Sequence, residues 1–364
     1  MNLEDRGRRA AQALRESVAG IEPDLRGFER RRRNRQVARI AGAVMVAAAF
    51  VAVLALWAAI ERHPRPQPAN HAPLAPTAVV PVGIGPLDVA VGDGAVWVAD
   101  GGLGQRHPGV ISRVPLSGRG AATKIPLNGL PPLDVDVGAG GVWALERTLD
   151  LIDPGTGQVV RRYPYPHSVS RAFAIGYGSL WLVHGDQPNQ LPSLVSRIDP
   201  ATGQEVATIP LRFEGQPLAI ATGAGGVWVG DEFGDIVARI DPRTNSVVDR
   251  ITVGQHPEAI VVGLGGVWVA DRSSGDVTRI DPSTDRVTAT VAVGGLPSGI
   301  AIFDGAVWVT DSAHGTVIRI DPVAGRVTDT VDVATGVVGV AAGGGALWVT
   351  VPTQNLVFRM APQE

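Results

Sequence analysis

The chain has 364 residues, no Cys, 46 Gly, 28 Pro and a formal net charge of −3. Without Cys, disulfides, thiolate catalysis and Cys-ligated zinc are excluded. The charge is uneven: residues 1–39 hold 11 Arg against 6 Asp and Glu (+5), and the rest 21 basic against 29 acidic residues (−8). An acidic body argues against nucleic acid as its partner.

Residues 1–39 form a basic tail, in which Ala10, Leu14, Val18 and Ile21 share one face of a short amphipathic helix. Ile40 to Ile60 follows without a single charge, long enough as a helix to cross a bilayer core. The Arg30–Arg33 run, Arg35 and Arg39 precede it and keep the tail cytoplasmic, so the remainder is expected outside the cell membrane. A tail this long and an apolar stretch of this length suit an uncleaved single-pass anchor rather than a removed signal peptide. Residues 61–76 contain five Pro and read as a semi-extended spacer.

From residue 77 to 364 one unit recurs. Its Trp stands at 97, 143, 181, 228, 268, 308 and 348, a period near 40 residues. Each unit reads as four strands: a small apolar inner strand (Ala259–Val262), a second around the Trp (Val267–Ala270), a third (Val277–Ile280) and an alternating outer strand (Arg286–Val291). The turn between the last two opens with Asp153, Asp199, Asp241, Asp281 or Asp321, followed by Pro. Asp accepting from its own turn and Pro presetting φ make this turn chemistry, not a catalytic row. The last unit lacks an outer strand, and Thr77–Val82 supplies one. The expected fold is all-β: a seven-bladed β-propeller closed by an N-terminal outer strand and preceded by a single transmembrane helix.

Val-Trp-Val-Ala-Asp followed by Arg-Ile-Asp-Pro resembles the YVTN-type 40-residue propeller repeats, and the whole of residues 77–364 is similar to virginiamycin B lyase-like propellers. The resemblance speaks for the fold; propellers of this kind serve lyases, lactonases, sensors and scaffolds. The lyase relatives use histidines from loops entering the inner strands, with an acidic residue after the second-strand aromatic. Carried onto this chain, these roles fall to His256, Asp271 and, from a different loop, His314, and a divalent cation belongs to that alternative only. The expected His pair is missing, since the counterparts of His256 in the adjacent blades are Gln216 and Leu296.

Arg follows Trp by 11 residues in the last four units (Arg239, Arg279, Arg319, Arg359), which makes them cross-strand neighbours able to stack. Asp100, Glu146, Asp231, Asp271 and Asp311 stand three residues after the Trp, with His184 and Val351 breaking the series. They read as turn caps, or else as an acidic ring at the channel mouth. No Ser-His-Asp signature is present, and the Gly-x-Gly runs precede strands rather than helices, so a dinucleotide loop is excluded.

The loop between second and third strands is long in blades one and three and short in blade two: the offset from Trp to the third-strand position is 16 for Trp97–Arg113 and Trp181–Arg197, but 8 for Trp143–Leu151. Two walls and a low floor predict a notch above blade two. Its walls hold Arg106, His107, His184, Asp186, Gln187 and Asn189, its floor Glu146 and Arg147, and the next entry loop adds Arg171. Concave sites with convergent polar groups suit ligands. The expected function is a membrane-anchored extracytoplasmic binding module, sensor or scaffold, for a protein, polymer or small molecule, with no cofactor. The alternative is a lyase or lactone hydrolase.

Overall fold

The computed structural model describes residues 72–102, 108–127, 129–164, 170–185, 193–213 and 215–363. The basic tail, the 40–60 span and all but the last residues of the spacer lie outside them. Among the described residues no helix is long and apolar enough to cross a membrane.

Every repeat folds as a four-stranded antiparallel sheet, and there are seven. The second strand is buried along its whole length in each blade, as in Gly226–Asp231 and Gly266–Asp271. It therefore reads as a continuous apolar run, whereas the outer strand alternates because one face meets solvent. Seven apolar clusters make the core, each filling the seam between two neighbouring blades. One joins Trp97 of blade one to Val142 and Ile152 of blade two; another joins Trp348 of blade seven to Val89 and Val98 of blade one. A single blade has no core of its own, so stability resides in the seams.

Ring closure follows the expected scheme. Leu74–Pro81 pairs antiparallel with Leu356–Pro362 and becomes the outer strand of blade seven. The strand starts three residues upstream of the expected Thr77, because Leu74 finds a buried place in the seam of blades six and seven. A bulge between Pro76 and Ala78 reconciles the registers. Pro81 sits at the sheet edge, where a missing donor costs nothing.

The Trp residues are structural. Each indole donates to the backbone carbonyl five residues upstream, as in Trp97 to Gly92 and Trp228 to Gly223. The cross-strand register sets Trp228 opposite Arg239 and Trp268 opposite Arg279. Five guanidinium groups lie 4.8–6.0 Å from their Trp ring centroids (Arg113, Arg197, Arg239, Arg279, Arg359). Arg239 continues to Asp285 and to the Pro282 carbonyl of the next blade, and Arg359 to the Leu116 carbonyl of blade one. The stack thus also fastens neighbouring blades. Blade two lacks the Arg; there Tyr163 stacks on Trp143, with centroids 5.7 Å apart and planes at 24°.

Candidate functional site at the channel mouth

In the five blades that have one, the acid at the end of the second strand is a buried loop cap. Asp100 accepts from Ser112 Oγ at 2.7 Å, Asp231 from the Gly215 amide at 3.2 Å, and Asp271 from Thr278 Oγ1 at 2.5 Å. Asp311 accepts from the amides of Leu296 (2.8 Å) and Ala313 (2.9 Å). An entry-loop glycine packs on each: a Cβ on Gly295 would lie 2.0 Å from the Asp311 carboxylate, and one on Gly129 would lie 1.8 Å from that of Glu146. These carboxyls are therefore roofed by the entry loops, and the turn-cap reading holds over the acidic ring.

Burial shapes their ionisation. It pushes Asp271 up to about 7, against hydrogen bonds from Thr278 and Gly254. It pushes Glu146 up to about 7 as well, helped by the neighbouring Asp150 charge and opposed by Arg162. Burial also raises Asp311, but the Leu296 amide, His314 and further amides outweigh it and hold the carboxyl below its ordinary value.

Hydrogen bonds between the loops, such as Gly101 to Gly85 and Arg272 to His256, place the second-to-third-strand loops and the entry loops on one face. On that face the seven inner strands enclose a cavity of about 620 Å³. Its wall is uneven. At one equivalent position, blades one and two carry Asp88 and Asp134, and blades three to seven carry Ala172, Ala219, Ala259, Gly299 and Gly339. Asp88 accepts from the Val135 amide at 3.1 Å and Asp134 from the Phe173 amide at 2.8 Å, each in the following blade. The two carboxyls also hydrogen-bond each other. Burial raises both; the Asp88 charge adds to it at Asp134, which lies well above the ordinary range, whereas the hydrogen bond from Asp134 opposes it at Asp88. Asp136 on the same strand is pushed up to about 6 by burial.

A charged cluster stands at the rim. Arg171 lies 3.6 Å from Glu232; His256 Nε2 lies 3.4 Å from Glu232 and 3.1 Å from Glu258; Arg272 lies 3.7 Å from Glu258 and donates to Ser298 Oγ at 2.9 Å. Burial raises the Glu258 carboxyl, with Arg272 and His256 opposing. His256 has φ of +60°, a left-handed conformation that costs a non-glycine residue roughly 1–2 kcal/mol. Blade one uses Gly85 at the same place before its Pro, with the same φ. The backbone of His256 is pinned by the Asp235 carboxylate on its amide (3.2 Å) and the Arg272 amide on its carbonyl (2.9 Å). Phe233, mostly exposed, meets the imidazole edge-on at 5.9 Å. His256 is one of twelve described non-glycine residues with positive φ; its place between Glu232 and Glu258 is what sets it apart.

The structure thus joins residues from both sequence-based sets, Arg171 and His256, through Glu232. The other candidates disperse. Asp271 is buried with Thr278, and His314 Nδ1 lies 2.5 Å from the Asp311 carboxylate with the ring largely exposed. Among the described residues, the side chains of the three residues of the lyase alternative share no partner. Among the described residues, no three His, Asp or Glu side chains are grouped to hold a metal ion. His184 is buried on Ser196 Oγ at 3.0 Å, and Ser196 donates onward to Glu205 at 2.6 Å. Glu146 is buried, Arg147 is exposed in the tight turn of blade two, and Arg106, His107, Asp186, Gln187 and Asn189 lie outside the described residues. Glu232, Glu258, Arg272, Asp88 and Asp134 were not anticipated. Comparing the repeats position by position exposes the last two as acids standing where later blades have Ala or Gly.

No protein-family model and no curated protein sequence matches the chain. A chain from the crystal structure of the mitotic checkpoint complex is similar in fold, with a TM-score of 0.69 at 11% identity, covering 81% of this chain and 94% of that one. At that identity the likeness carries the architecture alone: the chain is a seven-bladed β-propeller.

Proposed function

We propose that the protein is a binding module, anchored in the cell membrane by residues 40–60, whose extracytoplasmic propeller engages its ligand at the channel mouth on the entry-loop face. The observation that carries this is the strained His256 held between Glu232 and Glu258 beside an open cavity. The cavity volume falls within the roughly 300–1,000 Å³ of ligand pockets, and the rim offers both charges and an exposed aromatic ring. The fold likeness to a chain of a multi-protein complex is consistent with protein binding. Within propellers, the Val-Trp-Val-Ala-Asp and Arg-Ile-Asp-Pro repeat supports a YVTN-type, virginiamycin B lyase-like affiliation, with a sensor or scaffold role.

A photo-crosslinking residue placed at Phe233 or Leu133, on the mouth face, should give adducts in native membranes. The same residue at Val323, exposed on an outer turn of the opposite face, should give none. Labelling at Val323 alone, or absence of adducts at both mouth positions, refutes the assignment of the site.

A further inference from the structure

Two features of the mouth constrain its ligand. The first is charge. Among the described residues lining the cavity there are three acids, Asp88, Asp134 and Glu258, and one base, Arg171, which is already paired with Glu232. Among the described residues lining the cavity, no cation is paired with the carboxyls on the wall of blades one and two. Burial raises both carboxyls, and the Asp88 charge raises Asp134 further. The opposite wall presents Ala219, Ile220, Ala259, Ile260 and the backbone at Gly299, and its one acid, Glu258, is already paired with His256 and Arg272. A group satisfying both walls has a positive head and a slim apolar stem.

The second feature is the collar around the opening. Ile84, Leu130 and Leu133 in the first two entry loops, Leu296 in the sixth, and Phe233 beside His256 are large apolar side chains left exposed on the same face. Apolar side chains spread around an opening match a macromolecular surface better than a single small molecule. A long basic side chain set among apolar contacts, with its charge desolvated against carboxylates, is how an interface anchor works.

Resting on the channel-mouth reading above, we infer that the partner is a polypeptide segment. It lays apolar side chains on the collar and inserts one Lys or Arg into the channel, where Asp88 and Asp134 receive the cation. The test uses the full-length chain and fluorescent peptides of apolar sequence whose central residue is Lys, Arg, norleucine or Glu, read by anisotropy. The Lys and Arg peptides should bind at least about tenfold more tightly than the other two, a gap of about 1.4 kcal/mol. Asp88→Asn with Asp134→Asn keeps a carbonyl oxygen for the Val135 and Phe173 amides. It should bring the Lys and norleucine peptides within about twofold of each other. The two single variants, each narrowing the gap, report if the double variant does not fold. Phe233→Asp should weaken all four peptides.

Equal binding of the Lys and norleucine peptides, or a preference surviving the double substitution, overturns the cation seat and leaves the mouth a binding surface. No peptide binding while the Phe233 adduct persists overturns the polypeptide partner but not the site. Free cadaverine binding as tightly as the Lys peptide also overturns the polypeptide, in favour of a small amine.

Discussion

Blades four to six and blades one to three solve the same packing problem with different chemistry. In blades four to six the tight turns, the Trp, and Ala or Gly at the channel position repeat with little change, and charge stays in loop caps, in Arg stacks between blades and in the rim cluster around Glu232 and Glu258. In blades one and two carboxyls enter the channel wall, and blade two replaces the Trp–Arg stack by Trp143–Tyr163. It also buries Asp150 in a pair with Arg162 at 2.7 Å, at the position of Ala238, Thr278 and Ile318 in later blades. The propeller frame tolerates either arrangement because the seams carry the stability. What the variation alters is the polarity of the cavity. The rim cluster then straddles the two regions, drawing Arg171 from blade three and its partners from the loops of blades four and five.

The most severe test of a shared frame is to remove a Trp from each region. Trp228→Ala and Trp143→Ala should each cost about 3–5 kcal/mol in denaturant unfolding, since both indoles are fully buried. A much smaller loss at Trp143 would show that blade two is held by something else. Next, Asp150→Ala should lose about 2–3 kcal/mol by the same measurement. Arg162 is left without its carboxylate, and its partial exposure keeps the loss below that of a fully buried pair. The equivalent Thr278→Ala, which removes only the hydroxyl on Asp271, should cost about 1 kcal/mol.

A further effect comes from pH. Folding raises Asp136 to about 6 and Asp271 and Glu146 to about 7. The folded chain therefore holds protons that the unfolded chain releases above about pH 4, and stability should fall as pH climbs from there through about 7. Asp271→Asn should flatten part of that slope, by on the order of 2–3 kcal/mol between pH 5 and pH 7.5. A slope left unchanged would place the titration elsewhere. Smallest of all, His256→Gly relieves a left-handed φ and should raise stability by about 0.5–1 kcal/mol while weakening ligand binding. A loss of stability would mean that the Glu232–His256–Glu258 contacts outweigh the strain.

The architecture was legible because it repeats. Seven Trp at one spacing, Asp-Pro turns and a last unit lacking its outer strand together specify blades, number and closure. The site was legible only in part. Arg171 stood out beside the unequal loops and His256 through the lyase resemblance, but the partners that bring them together come from different blades. Sequence offset within a repeat says nothing about distance across the channel. Loop lengths drew attention to blade two, whose floor acid Glu146 turned out to be roofed by Gly129. Asp88 and Asp134 are inconspicuous along the chain, 46 residues apart. They become a pair only once adjacent inner strands converge on the axis.

The strand that completes blade seven also sets when the molecule can exist. Thr77 and Arg359, bonded across the closing sheet, are 282 residues apart in the chain. Until the last strand has left the ribosome, the first has nothing to pair with, and blade one lacks the neighbour that covers Val89 and Val98. Contacts this distant slow folding. The ring can therefore close only late: a growing chain offers an open arc with an unpaired strand at one end until Leu356–Pro362 has been made.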